Sequence, residues 1–238
     1  MSKRDGHTQQ NKTREFTYDA VADRRIGCYE SIRKMVEENG GVDFELPSRD
    51  MPIRYPNGIF NEGKNVLLGV TGSVSAYKAV DIVKALQLQG CDVKVVMTKD
   101  ACEFVTPLTM ELRSGHSVLT GLYSDVDTKT PHCHYASLAD VFLIAPATAN
   151  TIAKVACGIA DNALTATCLA CTCKKIVAPA MNTHMYENPA TQHNLQILSE
   201  RGFEIVEPQK GMLACGEEGV GKLAEVDTIV SAVLRALG

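Results

Sequence analysis

The chain has 238 residues, 45% of them hydrophobic, enough for one large domain or for one domain with an arm. A formal net charge of -4 gives no basis for a nucleic-acid partner or for an anionic membrane surface. No run approaches the ~18 apolar residues of a membrane helix, the polar start does not read as a signal peptide, and nine cysteines, an odd number, read as reduced cytoplasmic thiols rather than a disulfide framework.

Residues 1–15 are polar and charged, a composition that predicts disorder. Across residues 16–38, Val21, Ile26, Tyr29, Ile32 and Val36 fall near one side of a helix, which Gly40 and Gly41 stop. Residues 41–64 carry Pro47, Pro52 and Pro56 among further breakers and read as an extended arm. The expected division is therefore an N-terminal extension over 1–64, with no core of its own, and a domain over 65–238.

That domain opens with a strand at 66–70 and a short loop, Thr71 to Ser75. A helix is expected from Ala76 to Gln89, with Ala79, Ile82, Val83 and Leu86 as its apolar stripe, then a strand at 93–97 ending at Thr98. The loop is neither GxGxxG nor a P-loop. Gly72, Ser73 and Val74 make either a structural turn or a seat for a terminal monophosphate, as in mononucleotide flavins. Residues 101–122 read as a helix and a short strand at Val118 and Leu119, and residues 123–131 as a polar loop leading to His132 and His134. Residues 141–145 are a continuous apolar run, suited to a parallel strand buried on both faces. It is expected to break at Pro146 into a small polar loop. There Thr148, Asn150 and Thr151 are either a helix cap or ligand-binding groups at a helix N-terminus. A helical stretch over 152–173, a strand at 176–178, a helix from about Pro189 to Arg201, a strand at 203–206, a loop through Gly221 and a helix from Val226 complete the domain. Alternating strands and helices predict a flavodoxin-like or Rossmann-like α/β fold, a doubly wound parallel sheet. Cys168, Cys171 and Cys173 fall on the predicted helix, where only the first two share a face. They read as small thiols, with no metal site.

Four motifs, in order, carry a resemblance. Residues 69–78 (GVTGSVSAYK) look like the flavin-phosphate loop of the homo-oligomeric flavin-containing cysteine decarboxylases. Residues 145–151 (APATANT) are similar to that family's PASANT motif, with Thr148 in place of Ser. Residues 179–185 (PAMNTHM) fit its PxMNxxMW motif, with Tyr186 where Trp is frequent, and residues 213–221 (LACGEEGVG) fit its substrate clamp. The resemblance covers the last three quarters of the chain and leaves residues 1–64 aside.

The resemblance implies FMN as cofactor and a homotrimer as the minimal unit, often a dodecamer, with sites between subunits. FMN would be held by Gly72, Ser73, Val74, Thr98, Thr148, Ala149, Asn150, Thr151 and Ala180. It implies oxidation of a substrate cysteine, loss of its carboxylate as CO2, and reduction of the resulting enethiol. By the family's spacing, seven residues before Ala139, His132 rather than His134 is the base or proton relay. The resemblance implies that Asn182 binds the substrate carboxylate and that Cys215 gives a proton to the enethiol carbon. Met181, Ala214 and Gly216 line the substrate beside Asn182, and Gly211, Gly216, Gly219 and Gly221 leave the clamp mobile. The best-matching branch implies decarboxylation of phosphopantothenoylcysteine to phosphopantetheine, in coenzyme A synthesis. Two other readings are decarboxylation of peptidyl cysteine, which Cys215 disfavours, and a phosphatase-inhibiting regulatory subunit, which the presence of His132, Asn182 and Cys215 in one chain disfavours.

Overall fold

The strand β3 (Val141–Ala147) is buried along its whole length, and the rest of the fold is laid on either side of it. The computed structural model of the protein describes residues 63–123 and 130–238. The readings for the N-terminal arm and for most of the 123–131 loop lie outside these residues.

Beside β3 stand β1 (Asn65–Val70) and β2 (Asp92–Met97) on one side, and β4 (Lys174–Pro179) and β5 (Phe203–Ile205) on the other. All pairings are parallel, in the order β2-β1-β3-β4-β5. This is the doubly wound sheet expected from the alternation of elements, in its flavodoxin-like order. Side chains of a strand alternate between faces. Val66, Leu68, Val141 and Leu143 enter one core; Leu67, Phe142 and Ile144 enter the other.

The first core is closed by α1 (Ala79–Leu88), α2 (Pro107–Ser114) and α8 (Val226–Leu237), through Ile82, Leu86, Met110, Ile229 and Val233. The second is closed by α3 (Pro131–Leu138), α4 (Ala149–Cys157), α5 (Ala163–Ala170) and α7 (Pro189–Glu200), through Tyr135, Ile152, Leu164 and Leu198. Phe142 is fully buried there; truncating such a ring to Ala costs about 3–5 kcal/mol.

Five local expectations are corrected. The central strand does not break at Pro146 but runs to Ala147, with a shift of register between Ile144 and Ala147 where the proline has no N–H for the ladder. The helix expected from Ala76 opens as a 3-10 turn, Val74–Lys78, before α1. The stretch 152–173 is two helices, because Gly158 takes a left-handed φ of 71° and Asn162 starts α5 with a reciprocal capping box. Leu119 makes only an isolated bridge to Val96. The expected loop before Gly221 contains an antiparallel hairpin, β6 (Gln209–Met212) and β7 (Glu218–Lys222). Its strands are short and glycine-bearing, so they show little period-2 alternation.

Candidate functional site at the carboxyl edge of the sheet

From β1 the chain crosses to β2 on one side, then returns past β1 to β3 on the other. Where such a reversal occurs, the loops leaving the two central strands diverge and open a crevice. Here those loops are residues 71–75 after β1 and Thr148 onward after β3.

Thr71 joins them. Its side chain is fully buried, its Oγ1 donates to the Pro146 carbonyl at 2.7 Å, and the same oxygen accepts from the Thr148 N–H at 3.0 Å. Gly72 follows, and a Cβ there would collide with Asp100, so the β1 loop lies tight against the end of β2. Ser73 caps the turn Val74–Lys78, accepting from the Ser75 N–H at 3.3 Å, and leaves Val74 exposed. Thr98, at the end of β2, caps the turn Lys99–Glu103.

Thr148 is the N-cap of α4. It accepts from the Thr151 N–H at 3.4 Å, and its hydroxyl donates to the Thr151 hydroxyl at 3.3 Å. Thr151 is buried, whereas Asn150 is exposed and Ala149 lies in the first turn. First-turn N–H groups have no partner within their own helix and favour an anion. Ala180 is buried, and its N–H donates to the Ala147 carbonyl, fixing the end of β4 beside β3.

A second group of residues forms where β4 meets the hairpin. The Met181 N–H donates to the Gly221 carbonyl at 2.9 Å. A Cβ on Gly221 would strike the Met181 carbonyl oxygen, and one on Gly219 would strike Thr183. These glycines let the hairpin lie directly on residues 181–183. Asn182 caps α6 (Thr183–Glu187), its Oδ1 accepting from the His184 N–H at 2.9 Å. That bond sets the amide's orientation, so Nδ2 faces the hairpin. There it donates to Cys215 Sγ at 3.4 Å and to Glu217 Oε2 at 3.0 Å, while Cys215 Sγ donates to the same carboxylate oxygen at 3.6 Å. The fold therefore unites Asn182 and Cys215, two of the residues expected to act. Ala214 and Gly216 flank Cys215 in the same turn.

Glu217 was not anticipated; its only sequence signal is a carboxylate two residues past a glycine-flanked cysteine. Thr71 was missed too, although a hydroxyl at the end of an apolar strand is a polar group that needs a buried partner.

His132 lies in the first turn of α3, which begins at the end of the expected loop. Since α3 runs against the strand it precedes, this turn stands at the carboxyl edge. His132 is half-buried and its Nδ1 is buried without a hydrogen-bond partner, whereas His134 is exposed. No hydrogen bond among the described residues joins His132 to Asn182 or Cys215. Cys168 and Cys171 are buried and Cys173 partly so, at the end of α5 and in the turn that follows. Burial pushes the Cys168 thiol up to about 12, and a hydrogen bond with Cys171 lowers that of Cys173.

The sheet and its diverging loops define a flavodoxin-like α/β protein with its switch point between β1 and β3. The chain belongs to the Flavoprotein family, whose model matches residues 58–238. It is 45% identical over 168 residues to the "Coenzyme A biosynthesis bifunctional protein CoaBC" of Bacillus subtilis, covering 70% of this chain and 41% of that one. The chain thus spans about two fifths of the length of that bifunctional relative. It is 43% identical over 177 residues to the "Probable phosphopantothenoylcysteine decarboxylase" of Streptococcus mutans, covering 73% of this chain and 99% of that protein. Among solved structures it resembles a cysteine-to-serine variant of PPC decarboxylase complexed with pantothenoylaminoethenethiol. The TM-score is 0.64 and the identity 34%, over 72% of this chain and 97% of that one.

Proposed function

We propose that the chain binds FMN in the β1/β3 crevice and decarboxylates phosphopantothenoylcysteine to phosphopantetheine. One observation carries the reading: Asn182 and Cys215, 33 residues apart, meet at 3.4 Å where the hairpin lies on the end of β4. An amide donor and a thiol acid thus stand side by side past the end of β4. The similarity to a protein named as a probable phosphopantothenoylcysteine decarboxylase, and to one named for coenzyme A biosynthesis, supports the choice of substrate.

The residues of the crevice fit a flavin mononucleotide. Gly72 leaves no room for a Cβ, Ser73 and Thr148 cap neighbouring turns, and α4 offers its first-turn N–H groups to a phosphate. In flavodoxin-like sheets of this order, FMN sits at the β1/β3 switch point. Bound FMN would supply the reversible two-electron oxidation of the substrate's thiol-bearing end. The protein supplies the rest. Asn182 Nδ2, aimed by the bond from His184 to Oδ1, orients the carboxylate for loss as CO2. His132, at the start of α3, accepts or relays the thiol-end proton. Cys215 gives a proton to the carbon that lost the carboxylate, as a positioned general acid. The balance is redox-neutral: the C–CO2 bond breaks, a C–H bond forms, and one proton is consumed.

We place the working site between subunits of a homotrimer. Two features support this: the unpartnered Nδ1 of His132, and Leu108 and Leu112, one turn apart on α2 and both exposed. We place the protein in a reducing cytoplasm, as its odd count of nine cysteines suits. The test is the visible spectrum and cofactor mass of the purified protein, with CO2 release from phosphopantothenoylcysteine. Yellow protein holding FMN and releasing CO2 is the expected result. Colourless protein, FAD, or activity confined to cysteine-ended peptides would overturn it.

A further inference from the structure

Glu217 occupies the donor on which the proposed chemistry depends. Its Oε2 accepts from Asn182 Nδ2 at 3.0 Å, and the other face of that amide is committed, through Oδ1, to the His184 N–H. A substrate carboxylate seeking the same Nδ2 meets a carboxylate already there, and two like charges a few ångströms apart disfavour each other.

Resting on that functional reading, we infer that Glu217 is an internal competitor for the substrate's carboxylate, one that sets the site's affinity for carboxylate-bearing ligands. The turn that carries it is built for the exchange. Gly216, at a φ of 84°, takes the left-handed conformation that favours glycine, and bonds from Leu213 N–H to the Glu217 carbonyl and from Gly216 N–H to the Leu213 carbonyl close the turn. The backbone of residue 217 is therefore pinned, and so is the root of the hairpin through Gly221 and Met181. The Glu217 side chain itself is exposed, so rotation about its own bonds releases Asn182 with no change in the hairpin. That movement also withdraws the carboxylate from Cys215 Sγ, leaving the thiol facing the ligand.

The experiment uses the flavin-loaded full chain and two probes that differ only in a carboxylate, N-acetylcysteine and N-acetylcysteamine. Dissociation constants are measured by NMR titration for the parent and for Glu217→Gln, which keeps the side chain's size and an acceptor oxygen while removing the charge. The variant should bind N-acetylcysteine about threefold more tightly or better, since an exposed, solvent-screened like charge is a modest penalty. Affinity for N-acetylcysteamine should stay where it is. Equal shifts for both probes, or no shift for N-acetylcysteine, would make Glu217 a brace of the hairpin only and overturn the inference. Failure of the functional reading looks different: the parent then releases no CO2 from phosphopantothenoylcysteine, whatever the two probes do.

Discussion

At the scale of single residues, the site rests on a few side chains whose orientation is fixed by a second bond. Asn182 shows this best, since capping α6 and presenting its amide to the hairpin are two ends of one group. Asn182→Asp should lose decarboxylation by at least a hundredfold, because a second carboxylate repels the substrate's own; CO2 release at the parent rate would contradict this. His132→Asn should abolish CO2 release with flavin still bound, and His134→Asn should be milder, as the exposure of His134 suggests. If His134→Asn is the more damaging, the spacing argument from Ala139 has picked the wrong member of the pair. As candidates, Asn182 and Cys215 were legible from short motifs, and His132 from its spacing to Ala139. Glu217 was not, since nothing in a glycine-rich segment tells which carboxylate a turn will fold back onto a distant amide.

Among elements, the switch point is held by one hydroxyl. Thr71→Val removes a buried donor and acceptor, leaving the Pro146 carbonyl and the Thr148 N–H without their partner. The loss should be about 1–3 kcal/mol of stability with faster flavin release, read from urea melts and a dilution chase. Unchanged flavin release would show that the two loops do not hold the cofactor. The opposite edge of the sheet gives an independent check. Hydrogen bonding to His116, helped by Lys94, holds Asp92, the first residue of β2, down to about 2 against desolvation. A depressed carboxylate adds stability that is present above its unfolded pKa of about 4 and lost as pH falls toward 2. His116→Gln should flatten that acid loss between about pH 4 and 2 in melts and leave flavin retention at neutral pH unchanged. Identical acid limbs in the two proteins would remove the pair from the account. The strands and most helices could be read from apolar periodicity. The hairpin could not, because Gly219 and Gly221 are there for close approach to α6 and Met181 rather than for strand propensity.

For the whole molecule, the order β2-β1-β3-β4-β5 follows from alternating strands and helices with right-handed crossovers, so the class of fold was legible throughout. How copies would assemble was not, because Leu108 and Leu112, which we propose for an interface, read in a sequence as ordinary exposed apolar side chains. Deleting residues 1–57, which lie outside the family match, should leave a flavin-binding oligomer of unchanged subunit number by light scattering; dissociation would assign the arm to an interface. The central claim is that Asn182 and Cys215 act in succession on one substrate, and the product of Cys215→Ser tests it most directly. A serine hydroxyl is a far weaker acid than a thiol of pKa ~8.5. The variant should still lose CO2 from phosphopantothenoylcysteine for one turnover and accumulate a product two hydrogens lighter than phosphopantetheine by mass. Formation of the saturated product alone, at the parent rate, would contradict the account.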